Sequence, residues 1–408
     1  MLQRVGSLLA LAACLILQPK PSSAQDTRAA LLEKQRAEKA ASVRPYKPGR
    51  LEKWMLWYEE HGFPERLSPH DGFYAGYGYD HKVVGSGFGV GGGFRHDLFD
   101  RRARIDLGAG ISFRNYQMLT ADFSLPYLLD ERLEVGTHVV YQHHPQEDYW
   151  GLGMDTPPEN RVSYTVDYTD FQGRVIARPV DWFHGGVRFG RLTGEVGPGK
   201  DKRYPSIEEL FADPTAPGLA QQPDFTYAEL FAAADYRDQP GNARAGGYYA
   251  VRWRTYTDLD FDRYSFGLVD LHVQQFFPIF DKKRVFAVQG RLITTDPATD
   301  HEVPFYFKPT VGGSTSLRSF GDYRFRDDSA LYFNAEYRWE AFSGLDMALF
   351  YDRGMVAPDF ESLSLSDAED AYGIGFRFNT YKAVFMRLDI GFGGTEGVKY
   401  FFKFSRAF

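Results

Sequence analysis

Residues 331–340 read Leu331-Tyr332-Phe333-Asn334-Ala335-Glu336-Tyr337-Arg338-Trp339-Glu340, and their alternation decides the fold. One face collects Leu331, Phe333, Ala335, Tyr337 and Trp339, and the other Tyr332, Asn334, Glu336, Arg338 and Glu340. Successive side chains of a strand point to opposite faces, so a period of two with every charge on one side marks a β-strand with one apolar face. The pattern returns at 345–354, where Leu345, Met347, Leu349 and Tyr351 stand opposite Asp346, Phe350 and Asp352. It returns again at 383–392, with Val384, Met386, Leu388, Ile390 and Phe392 against Phe385, Arg387 and Asp389. A water-soluble sheet wets its charged face, whereas a membrane barrel turns the apolar face to lipid and the charged face into its lumen.

The composition supports the barrel. Aromatic residues make up 16% of the 408, with 26 Tyr and 35 Phe beside 41 Gly, while mean hydropathy is only −0.40. A barrel needs such aromatics facing lipid and in girdles at both interfaces. Beyond the leader no stretch approaches the length of a transmembrane helix, so any span is built from strands. The formal net charge of −7 comes with no cluster of Lys and Arg, which leaves nucleic acid without a binding surface.

Applied along the chain, the alternation predicts an all-β, antiparallel transmembrane barrel of sixteen strands. They fall near 72–80, 83–96, 102–114, 116–126, 131–143, 161–175, 178–191 and 226–237, then 246–257, 264–278, 284–296, 329–340, 345–356, 370–380, 383–393 and 398–408. An even number puts both termini in the periplasm and the loops after odd strands outside. The long connectors, near 144–160, 192–225, 297–328 and 357–369, all follow odd strands, and those after even strands are expected to be short.

The expected organisation is a signal peptide over 1–24, a periplasmic or lumen segment over 25–70 and the barrel over 71–408. Arg4, the apolar run from Val5 to Leu17, and Ser22 with Ala24 have the layout of a secretory leader. Leu11-Ala12-Ala13-Cys14 also fits lipoprotein processing, although Leu15, Ile16 and Leu17 continue the apolar run past the cysteine. The charged stretch from Arg28 to Lys39 is open to a short helix, disorder or a lumen plug, and 25–70 leaves no room for a separate periplasmic domain.

Weaker signals carry little chemistry. Gly194 to Lys200 has phosphate-loop spacing, but Asp201 stands where Ser or Thr should hold Mg²⁺, and the segment is expected in a surface loop. His143, His144, Glu147 and Asp148 are read as a solvated polar loop rather than a metal site. Ser206 to Glu209 reads as a capping box opening a short surface helix over 207–212. No serine elbow, catalytic cysteine or carboxylate pair stands out. The reading is therefore no enzyme, no cofactor and no metal.

The C-terminal third resembles the bacterial surface antigen family of barrels, the superfamily that includes the BamA insertase, TamA and the two-partner secretion transporters. The resemblance rests on Gly312, Gly313, Leu317, Arg318, Ser319 and Phe320, then Asn334, Glu336 and Tyr337. It continues through Phe350, Asp352, Gly354, Gly373, Gly375, Arg377, Arg387 and Asp389, to Ala407 and Phe408. Tyr149 to Gly153 and the glycine-rich 85–93 are compatible with it.

The resemblance implies that the connector before the twelfth strand folds back into the lumen. There Arg318 would meet Asp352, with Glu336 as a second acidic neighbour and Phe320 beside it. Ser319 replaces the usual glycine, and because serine tolerates positive φ poorly, the tip is expected to bend differently. Gly72, Gly76 and Gly78 are expected to weaken a seam between the first and last strands. Phe402, Phe404 and Phe408 resemble the terminal signal read by the outer-membrane assembly machinery, with Arg406 interrupting the series. The barrel-only form, without polypeptide-transport-associated domains, implies an outer-membrane location among lipid and lipopolysaccharide. It also implies a transport or assembly role, the insertion, secretion or display of protein or lipid, with a separate periplasmic or secreted partner. The alternative is a passive or plugged pore, or a structural barrel.

Overall fold

The computed structural model describes residues 30–37, 48–60, 69–77, 89–380 and 383–404. Two units are distinguished, Met1–Arg50 and Leu51–Phe408. In the first, residues 30–37 are helical. The expected signal peptide, Gly78 and Phe408 lie outside the described residues.

A helix spans Arg50–Glu60. The second unit carries sixteen strands in one antiparallel sheet whose spatial order is the chain order. They are β1 Gly72–Tyr77, β2 Gly89–Leu98, β3 Ala103–Ser112, β4 Gln117–Leu128, β5 Leu133–Tyr149, β6 Val162–Val180, β7 Phe183–Pro198 and β8 Phe225–Asp235. They continue with β9 Gly246–Asp258, β10 Phe266–Ile279, β11 Arg284–Pro297, β12 Ser329–Phe342, β13 Leu345–Ala357, β14 Glu369–Asn379, β15 Val384–Phe392 and β16 Lys399–Lys403. The sequence reading placed all sixteen. No ladder joins β1 to β16 among the described residues.

The faces are inverted relative to a soluble sheet. Phe333 and Leu349 are 42% and 51% exposed, while their inward neighbours Glu336 and Asp352 are fully buried. Apolar side chains look outward because lipid tails, not water, surround them. Between β2 and β3, β4 and β5, and β10 and β11 the turns share one form. Phe99-Asp100-Arg101, Leu129-Asp130-Glu131 and Phe280-Asp281-Lys282 all have positive φ. Each is closed by a backbone bond of 3.2 to 3.3 Å from the following basic residue.

Four expectations need correction. His143, His144, Glu147 and Asp148 lie on β5, not in a loop: a register shift between His144 and Glu147 absorbs Pro145, so the β5–β6 hairpin keeps its ladder to Tyr149. Gly194 to Pro198 likewise continue β7 rather than forming a surface loop. The β8–β9 connector, 236–245, is not short and reaches far around the sheet. Gly241 accepts from the Val384 N–H at 3.0 Å, Asn242 donates to the Thr380 carbonyl at 3.0 Å, and Arg244 meets Asp346 at 2.6 Å. These contacts bring the β8–β9 end against β13 to β15, which requires the sheet to curl, and they floor part of the barrel. The predicted surface helix is shorter than expected, Ile207–Leu210, with the Ser206 N–H donating to the Glu209 carboxylate at 2.9 Å.

Candidate functional site

The connector between β11 and β12 folds back onto the inner wall. Its neck is a two-stranded ribbon, Thr310–Val311 with Phe325–Arg326. Gly312 and Gly313 take φ of +127° and +86°, which turns the chain inward, and the Ser316 hydroxyl bridges the Gly312 N–H and carbonyl at 2.8 and 3.0 Å. Ser319 is not among the positive-φ residues, in keeping with serine's poor tolerance of that region; the left-handed positions of the loop are the two glycines and Tyr323. Leu317 and Phe320 are fully buried and pack with Val311, Phe325, Tyr332, Val356 and Ala371.

Arg318 then projects into a buried ionic network. Its Nε and Nη2 donate to Asp352 at 2.8 and 2.6 Å, its backbone N–H adds a third bond at 3.1 Å, and Nη1 donates to Glu336. The guanidinium lies 3.6 Å above the Phe350 ring. Glu336 also accepts from Arg338 at 2.6 Å and Arg377 at 2.7 Å. Asp389 pairs with Arg377 at 2.6 Å and Arg387 at 2.7 Å. The fork of arginine matches a carboxylate in two places, which is the geometry that compensates a desolvated charge.

The strands also hold the loop's main chain. Asn334 donates to the Ser316 carbonyl at 2.7 Å, and Arg387 to the Ser314 carbonyl at 2.8 Å. The absence of a side chain at Gly391 makes this approach possible, because a Cβ there would fall 1.7 Å from the Arg318 carbonyl oxygen.

Above this network a second clamp joins three connectors. Glu396 accepts from Arg324 at 2.6 Å and from the Gly321 N–H at 3.1 Å, while Arg324 also donates to Thr156 at 2.6 Å. The Gly153 N–H donates to the Arg326 carbonyl at 2.8 Å, which ties in the segment around Trp150. Burial pushes the Glu396 carboxyl up, but hydrogen bonding and charge from Lys399, the Gly321 N–H and the Arg324 charge outweigh it and hold the group below the usual range.

Arg318, Phe320, Glu336 and Asp352 are thus brought together. Arg338, Arg377, Arg387 and Asp389 belong to the same network and were not placed in it from sequence, although their charges fall on the inward parity. At the other end of the sheet Gly72 pairs with Arg95 and Gly76 with Gly91, both on β1. On β16, Tyr400 and Phe402 are exposed on the outer face, with the Phe404 ring 5.1 Å from Phe402.

Residues 98–405 match the Omp85 superfamily domain. The chain belongs to the Omp85 superfamily. Among solved structures, this Omp85 barrel is similar to BamA from Haemophilus ducreyi lacking POTRA domains 1–3, at 14% identity and a TM-score of 0.57, over 81% of this chain and 69% of that one. CdiB from Acinetobacter baumannii matches at 14% identity and a TM-score of 0.47, over 81% of this chain and 58% of that one. CdiB from Escherichia coli matches at 12% and 0.48, over 81% and 61%. The chain therefore spans about three fifths of the CdiB chains. No curated protein is significantly similar. The protein is a bacterial outer-membrane barrel of the transport or assembly type.

Proposed function

We propose that the barrel inserts, secretes or displays a protein or lipid cargo, and that the folded-back loop controls its opening. The observation that carries this reading is the burial of Arg318, 1% exposed, at the tip of a long connector. A loop needed only to cover the barrel has no reason to bury a guanidinium in its wall, where a charge without its partner is costly. Two clamps, one at Asp352 and one at Glu396, give the loop a defined docked state that a partner can displace. Gly72 and Gly76 of β1, together with the following Gly78, make the seam the place to open, since glycine weakens strand pairing and an unpaired edge accepts an incoming strand. Phe402, Phe404 and Phe408 would serve biogenesis, as the signal for the assembly machinery. The partners are outer-membrane lipid, lipopolysaccharide and a separate periplasmic or secreted protein. No catalytic role is part of the proposal.

A plugged pore is the second reading, favoured by lumen cavities of about 240, 370 and 290 Å³. Depletion in the native bacterium, followed by mass spectrometry of its outer membrane and secreted fraction, separates the two. Loss of one or a few surface or secreted species supports transport or assembly. Unchanged composition with altered uptake of small solutes supports the pore.

A further inference from the structure

Five neighbouring strands alternate charge on the lumen side: β7, β9 and β11 present arginines, and β8 and β10 between them present the carboxylates Glu229 and Asp270. Arg188 is paired in register with Glu229 and Glu229 with Arg254, and Arg252 is paired with Asp270. Each carboxylate is held from two sides. Glu229 accepts from Arg188 and from Nε of Arg254 at 2.8 Å. Asp270 accepts from Arg252 and from both Nε and Nη2 of Arg291, at 2.9 and 2.8 Å.

The two carboxylates are buried while the guanidiniums reach open space, the Arg252 side chain being 40% exposed. That space is a pair of cavities, about 240 and 370 Å³, which share Arg252, Asp270 and Arg291. The larger is bounded on its other side by Lys308, Thr315, Ser316 and Tyr323 of the folded-back connector. Four guanidiniums over two carboxylates leave two positive charges shared by the adjoining cavities, with Arg188 lining the smaller, Arg254 the larger, and Arg252 and Arg291 both. Lys308, paired with Asp328, adds an N–H donor and no net charge.

The carboxylates fix the arginine forks in place, so little side-chain freedom remains to be lost when a second anion docks. A single carboxylate would balance half of the excess. A phosphate carries a charge of about −1.5 to −2 at neutral pH, with several acceptor oxygens suited to guanidinium forks. We infer that the paired cavities along β7–β11, the larger closed off by the folded-back connector, form a binding site for a phosphate group, supplied either by a free phosphate ion or by a phosphorylated lipid headgroup. The site is independent of how the barrel opens.

The test uses the full chain in detergent micelles, with inorganic phosphate titrated at constant ionic strength and followed by calorimetry. A second arm uses dihexanoyl phosphatidic acid, with dihexanoyl phosphatidylcholine as the blank. Saturable phosphate binding that weakens by roughly ten-fold or more in Arg252→Gln and in Arg188→Gln, with Arg252→Lys retaining most of it, supports the site. Heat-modifiable gel mobility identifies which variants are folded, and the two glutamine variants approach the paired cavities from different strands. Phosphatidic acid that displaces phosphate at lower concentration assigns the headgroup; phosphate binding without such displacement assigns the free ion. Absence of saturable phosphate binding by the unaltered protein, or equal binding by both folded glutamine variants, overturns the inference.

Discussion

Arg318 and Asp352, 34 positions apart in the chain, meet inside the barrel through two parallel hydrogen bonds of 2.8 and 2.6 Å. One comes from a connector and the other from a strand, so this pair joins the part of the molecule able to move to the part that is fixed. Both side chains are buried.

The pair should therefore behave unlike a surface salt bridge. An exposed pair is worth about 0–1 kcal/mol, whereas removing one member of a buried pair costs roughly 3–5 kcal/mol because the survivor stays desolvated. Urea unfolding of Arg318→Ala, Asp352→Ala and the double variant in lipid is expected to show a double cost below the sum of the singles, by about 0.5–3 kcal/mol. Strict additivity would remove the coupling.

The wider network makes the two single changes unequal. Arg318, Arg338, Arg377 and Arg387 face Glu336, Asp352 and Asp389, four positive groups against three negative. Arg318→Gln leaves three of each, while Asp352→Asn leaves four against two. Asp352→Asn should then be the more destabilising, toward the upper end of the roughly 3–5 kcal/mol range. The reverse order in the same unfolding series would show that charge balance does not govern the network.

Gly391 tests the approach of the loop from the strand side. Gly391→Val places side-chain atoms where the Arg318 carbonyl lies, and overpacking of this kind costs roughly 1–3 kcal/mol. Limited proteolysis from the outer side should cut within 312–324 faster in this variant than in the unaltered barrel. Equal cutting would mean the loop main chain is not seated on β15.

The upper clamp should respond to acid. Because Glu396 is held below its ordinary value in the folded state, it binds fewer protons there than in a released loop. Its contribution is present above the unfolded value, about 4.3, and is lost as the pH falls through the lower folded value. Accessibility of a cysteine introduced at Gly321 should rise below about pH 4, and Glu396→Gln should flatten that rise. A pH profile unchanged by Glu396→Gln would refute the clamp.

How much of this was legible in the sequence depends on periodicity. Residues 331–340, 345–354 and 383–392 disclose strand, face and lumen side together, because lipid outside and charge inside sharpen an alternation that a soluble sheet blurs. Phe99-Asp100-Arg101 and its two counterparts were a readable turn signal that went unused. The β5–β6 hairpin was cut short because Pro145 and its polar neighbours look like a loop, and a bulge accommodates them. The ribbon of Thr310–Val311 with Phe325–Arg326 is too short to show any period. The alternation put Asp352 and Glu336 on the lumen side, but the meeting with Arg318 came from family resemblance, since no local pattern links a connector to strands so far along the chain. The reach of 236–245 to Asp346, Thr380 and Val384 has no sequence signature, as it depends on how the sheet curls.

Single-channel recording in planar bilayers tests most directly whether the folded-back loop keeps the barrel closed. The intact protein should conduct little or flicker, and replacing Arg318 and Asp352 together by alanine should lengthen and enlarge the openings. A shift in ion selectivity with Arg254→Glu would confirm that current runs through the lumen. A large, constant conductance from the intact protein, unchanged in the double variant, would contradict loop control and leave the chain as a passive pore.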